Sequence, residues 1–168
     1  MNLHDGVIID TNVLIASDGE STPQATPECV ISAIEFLEES LSEKVILLDF
    51  GGDILEEYER YCSYSGQPRV RDRFFVELTR RQADVSKVRK VEITPTWDGS
   101  YEEVPADLRD FDPSDHKFIA SAVADGFRSP IINCVDSDWS HAGDKLGAEG
   151  ISVIELCPEC LKKSIVRQ

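Results

Sequence analysis

Short apolar runs alternate with stretches of helical periodicity along this chain, and that alternation restricts its fold more than any other feature. Residues 6–10 (GVIID), 44–49 (KVILLD), a short run near 91–93, 130–135 (PIINCV) and 151–156 (ISVIEL) read as strands. Helical spacing fills the intervals. Residues 11–16 can start a helix directly after the first strand. Thr26 is a good N-cap, Pro27 suits the first helical position, and Val30, Ile34, Leu37 and Leu41 recur at helical intervals. Asp53 can cap a helix carrying Ile54, Leu55, Tyr58 and Tyr61. Further helices are expected over 70–84, from Asp112 or Ser114 to near Gly126, over 138–146, and from Pro158 onward. Unbroken apolar strands alternating with helices imply an α/β fold around a buried parallel sheet. The expectation is one domain over residues 1–168 in three α/β/α layers.

Composition narrows the function. Hydrophobic residues make up 41% of the 168, too many for a disordered chain. The longest apolar stretches, such as Val45-Ile46-Leu47-Leu48, are strand-sized and give no membrane span. The net charge of −15 argues against a nucleic-acid binder, which usually shows phosphate a basic face. The average conceals an island. Residues 60–90 hold nine bases and three acids, +6, and the remainder holds eight bases and 29 acids, −21. Arg69, Arg71, Arg73, Arg80 and Arg81 are the candidates there for phosphate contact. They can equally be solvated or meet an acidic protein surface. Phe74 and Phe75 among them can stack on bases, but fit a helix's core face better. The region 64–113 is long, a basic helix followed by an acidic loop.

Five cysteines at irregular spacing, and no basic-then-apolar leader pattern, lead to the expectation of reduced thiols in the cytoplasm. Cys157-Pro158-Glu159-Cys160 lacks partners for a zinc site and reads as packing at a strand–helix junction.

In parallel sheets, ligands bind beyond the carboxyl ends of the strands. Asp10 closes the first strand, and Asp136 follows the fourth. Asp49 also ends a strand, but Gly51-Gly52 turns the chain away. Asp115 opens a helix, Glu56 and Glu57 lie on the helix after Asp49, and Asp138 lies two residues past Asp136. Carboxylates gathered at one rim repel each other unless a hard cation sits among them. Oxygen ligands without clustered imidazole or thiolate suit Mg²⁺ or Mn²⁺, the ions of phosphodiester hydrolysis. Each acid also has an ordinary reading: Asp138 as an N-cap, Asp115 as a dipole partner, Glu57 as a solvated residue. Asp10 is the hardest to explain without a partner, because it emerges from a buried strand.

Four blocks in this order resemble the PIN-domain ribonuclease family: residues 7–14 (VIIDTNVL), 54–60 (ILEEYER), 112–122 (DPSDHKFIASA) and 134–139 (CVDSDW). The likeness covers roughly residues 5 to 156. It implies a five-stranded parallel sheet in 3-2-1-4-5 order. It implies that Asp10, Glu57, Asp115 and Asp136 hold one or two Mg²⁺ or Mn²⁺ ions, with Asp138 in support and Thr11 and Asn12 orienting the first aspartate and its loop. It also implies hydrolysis of single-stranded RNA, an antitoxin partner as in many members, and a homodimer. Cys134 stands where the family often has Thr or Ser, and the long 64–113 region departs from the compact toxins.

Several alternatives remain open from the residues. A non-catalytic PIN-like module binding RNA or protein fits the acidic surface. A haloacid-dehalogenase-type phosphatase needs a second Asp where Asn12 stands, and a receiver domain needs an early acidic pair and a late Lys. His116 and His141 can line the site or lie exposed on helices. Trp97 and Tyr101, in the acidic loop, can contact substrate.

Overall fold

The computed structural model describes residues 6–20 and 25–159. Five parallel strands form one sheet: β1 (Gly6–Ile9), β2 (Val45–Asp49), β3 (Val88–Val91), β4 (Ile131–Asn133) and β5 (Val153–Glu155), in the order β3-β2-β1-β4-β5. Helices flank it: α1 (Thr11–Ala16), α2 (Pro27–Glu43), α3 (Asp53–Glu59), α4 (Val70–Arg80), α5 (His116–Ala124), α6 (Ser137–His141) and α7 (Gly143–Ala148). The result is the expected three-layer α/β/α fold, with the expected strand order. No helix among the described residues is long and apolar enough to cross a membrane.

The strands are apolar because most of the sheet is covered on both faces. All four residues of β1 are buried, as are Ile46 to Asp49 of β2. Phe74 and Phe75 of α4 are each 1% exposed, so they belong to the core and cannot stack on bases. The third strand lies earlier than the apolar run near 91–93 suggested. Val88–Val91 is an edge strand with Arg89 and Lys90 in its middle, so its apolar signal is weak. The expected helix over 138–146 is two short ones, and the loop 94–112 contains a bridge between Pro95 and Tyr101 and a 3₁₀ turn at Ala106–Leu108. Asp53 does not cap α3. Gly52, at φ +85°, occupies the cap position, and the buried Asp49 carboxylate accepts from the Asp53 and Ile54 amides at 2.8 and 2.9 Å. Asp49 therefore serves a helix end.

Below the sheet, Arg89 Nε and Nη2 grip the buried Asp125 carboxylate at 2.9 and 3.1 Å, and Nη2 also reaches Ser129 Oγ at 2.9 Å. This brace passes under Gly6. A Cβ there would lie 2.4 Å from Ser129 Oγ and 2.5 Å from Arg89 Nη2.

The expectation of reduced cysteines is corrected. Cys29, in the first turn of α2, and Cys157, just past β5, form a disulfide across 128 residues. Buried Cys134 places its Sγ 3.8 Å from the Cys29 carbonyl. Cys160, and nearly all of the helix expected after Pro158, lie outside the described residues.

Candidate active site

The strand order reverses direction between β1 and β4, and the segments leaving both strands carry aspartates at that point. Asp10 follows β1 and is 3% exposed. Its Oδ1 accepts from the Asn12 amide at 2.9 Å and its Oδ2 from the Trp139 indole at 2.6 Å. Asp136 follows β4 and caps α6, accepting from the Asp138 amide at 2.9 Å. Asp115 closes a 3₁₀ turn, Pro113–Asp115, that feeds α5. Asp10, Asp115 and Asp136 each offer an oxygen within 4.8 Å of the others.

A second group of the same dimensions joins Asp112, Asp115 and Asp138. Asp115 is common to both, so the acids form one continuous patch. Asp138 was expected to support the Asp136 site, but it groups with Asp112 and Asp115. Asp112 escaped notice because it reads as an N-cap, which it also is, accepting from the Ser114 amide at 3.0 Å.

This patch is electrostatically strained. Burial pushes the Asp10 carboxyl up to about 7, with Asp136 and Glu57 adding repulsion, although the Asn12 and Trp139 donors oppose the shift. Asp115 rises to about 9, first through burial and then through Asp10 and Asp136. Asp136 is also raised, by burial first. A divalent cation relieves both causes at once, replacing lost hydration and cancelling repulsion. The oxygen-only donor set fits Mg²⁺ or Mn²⁺.

Glu57 stands apart from the triad. The Thr11 hydroxyl donates to its Oε2, and Lys117 Nζ lies 2.8 Å from its Oε1. Thr11 thus positions Glu57, where the first aspartate was expected. Asn12 meets its expectation more closely. Beyond its backbone bond to Asp10, its Oδ1 accepts from the Cys134 and Val135 amides at 2.9 and 3.2 Å, and its Nδ2 donates to Asn133 Oδ1 at 2.8 Å. Asn133 in turn donates to the Asp136 carbonyl and to Glu155. One side chain therefore fixes the β4 exit that carries Asp136.

Lys117, Trp139 and Asn133 carry no role in the sequence reading. An aromatic residue directly after an acid-x-acid pair was the one visible hint for Trp139. Lys117 looked like an ordinary solvated lysine of α5, yet its side chain is only 13% exposed. His116 neither lines the site nor lies exposed. It is buried, with Ser100 Oγ at 2.7 Å and the Phe111 carbonyl at 2.9 Å. His141 is exposed.

The arginines of the basic island are mostly engaged. Arg71 is 9% exposed and lies against Asp18, so burial removes it from phosphate contact. Arg69 bonds the same aspartate at 2.5 Å. Arg80 and Arg81 pair with Glu77 near the end of α4 that leads into β3. An 11-residue helix is about 16 Å long. Those two therefore sit well away from the carboxyl ends of the strands. Arg73 lines a groove between α2 and α4.

No protein family, curated protein or solved structure matches this chain in comparison.

Proposed function

We propose that this chain is a Mg²⁺- or Mn²⁺-dependent endoribonuclease of PIN type that hydrolyses single-stranded RNA. The observation that carries the reading is the convergence of Asp10, Asp115 and Asp136 at the switch point of the sheet. The four sequence blocks that resemble the family add to it. Asp10, Asp115 and Asp136 would hold one ion, and Asp112, Asp115 and Asp138 a second. A divalent ion supplies Lewis acidity there, lowering the pKa of water and offsetting charge on a phosphoryl group.

The chain's own contribution is preorganisation. Trp139 and the Asn12 amide fix both oxygens of Asp10, and the Asn12–Asn133 network fixes the loop of Asp136. Thr11 and Lys117 fix Glu57 beside them. Such a frame holds charge in place before substrate arrives.

The test is incubation with single-stranded RNA and Mn²⁺. Cleavage is expected, and Asp10→Asn should abolish it. Activity that survives this substitution overturns the reading.

A second reading, a non-catalytic RNA- or protein-binding module, is favoured by the Lys117–Glu57 ion pair, which already neutralises the fourth expected acid. Calorimetry with Mn²⁺ separates the two, because a binding module lacks a tight, Asp136-dependent ion site. The ribonuclease reading brings with it a cytoplasmic location and an antitoxin partner. The Cys29–Cys157 bond argues for an oxidising compartment instead, so fractionation with thiol labelling decides the location.

A further inference from the structure

Beside the acidic patch lies a cleft of about 390 Å³, bounded by α3, by the first turn of α5 and by the 94–102 hairpin. Lys117 lines it. Two of the three Lys117 N–H bonds are spent among the described residues, on Glu57 Oε1 at 2.8 Å and the Ser114 carbonyl at 2.9 Å. Arg60 lines the same cleft, exposed and only loosely paired with Glu56 at 3.7 Å.

The hairpin is tightly built. Thr96 N donates to the Ser100 carbonyl, and Glu102 N to the Thr94 carbonyl, each at 2.9 Å. The Thr96 hydroxyl accepts from the Ser100 amide and donates to Asp98, and Gly99 turns the chain at φ +82°. Tyr101 is buried and donates to Asp53 of α3 at 2.6 Å. Ser100 bonds His116 of α5. The hairpin is therefore registered to both helices that supply the cleft. At its tip, Trp97 is 98% exposed. An ordered turn that holds a whole indole in water presents a large apolar face.

The larger groove between α2 and α4, about 580 Å³, is a weaker candidate for a polyanion. Arg73 lines it too, but Arg81 and Lys87 stand at the end of α4 that leads into β3, away from the acidic patch.

We propose that the cleft is the path of an unpaired polynucleotide strand, with Lys117 taking a phosphate beside the acidic triad and Trp97 stacking on a neighbouring base. This rests on the nuclease reading above and adds residues to it. Phosphate contact gives affinity without sequence preference, and base stacking requires that the base be unpaired. The path thus selects single strands over duplex.

Stopped-flow tryptophan emission with Mn²⁺ tests it, read before hydrolysis advances. Trp139 is buried, so the exposed indole supplies the responsive signal. A single-stranded dodecauridylate should quench emission, and a blunt duplex of equal length should not. Trp97→Ala should abolish the quench and raise KM about tenfold, with a smaller fall in kcat. Lys117→Gln should also raise KM, and Lys117→Arg should restore most of the loss. Because Trp97 packs on nothing, its removal leaves folding intact. Equal quenching by duplex, or wild-type KM in both Trp97→Ala and Lys117→Gln, overturns the assignment. Asp10-dependent cleavage with those unmoved KM values leaves hydrolysis standing and removes only the cleft. A Trp97-dependent quench without cleavage does the reverse.

Discussion

Trp139 Nε1 donates to Asp10 Oδ2 at 2.6 Å, joining the end of the first strand to a helix 129 residues later. The bond favours the carboxylate anion and, with the Asn12 amide on Oδ1, fixes the plane of the group. Trp139→Phe keeps an aromatic ring in the core and deletes the donor. Asp10 should then rise above about 7, and Mn²⁺ should bind roughly tenfold more weakly at neutral pH. Calorimetric titration checks this. Unchanged affinity would make the indole a packing residue alone.

The raised carboxyls predict an inverted pH response in metal-free buffer. Asp10 and Asp115 hold protons in the folded chain that the unfolded chain releases near pH 4. Stability should therefore be fullest below pH 4 as far as these groups are concerned. It should fall as pH rises through about 7 for Asp10 and about 9 for Asp115. Mn²⁺ binds the deprotonated acids, so it should raise Tm more at pH 8 than at pH 5.5. Asp10→Asn should flatten the lower part of the metal-free curve. Thermal melts from pH 5 to 9 with and without Mn²⁺ give the answer, and a flat metal-free profile would contradict it.

The Cys29–Cys157 bond closes a loop of 128 residues. Chain-entropy reasoning gives a loop of that order about 4–5 kcal/mol of stability. Cys29→Ser should lower the denaturation midpoint under oxidising conditions and match the wild type under strong reductant. Equal midpoints in both conditions would show that the bond does not persist in solution.

These contacts divide according to how local they are. Asp10, Asp115 and Asp136 were readable because a carboxylate directly after a buried strand, or in the first turn of a helix, is placed by local structure alone. The Phe74–Phe75 core face was readable from periodicity. The Lys117–Glu57 pair was not, because its partners lie 60 residues apart and neither is unusual in its own helix. Arg71 misled for the same reason. Counting bases along α4 registers its charge, while Asp18, which holds it in place, comes from the end of α1. Asp49 shows the converse. Its strand-end position was visible, but the amides it serves become apparent only when Gly52 turns the chain back over it. The disulfide required knowing that the starts of α2 and the exit of β5 meet.

The brace beneath Gly6 sets a rule for how this sequence can diverge. Even alanine's methyl group would collide with Ser129 and Arg89 there, and the Arg89 guanidinium cannot withdraw without giving up its two bonds to the buried Asp125, which would keep Ser129 Oγ at 2.6 Å and Arg128 Nη2 at 3.3 Å. Positions 6, 89 and 129 are therefore tied as a set. Descendants of this chain should keep glycine as long as they keep Arg89 and Ser129. A lineage with a side chain at position 6 should also show a smaller residue at 89 or 129, the two positions its Cβ would strike.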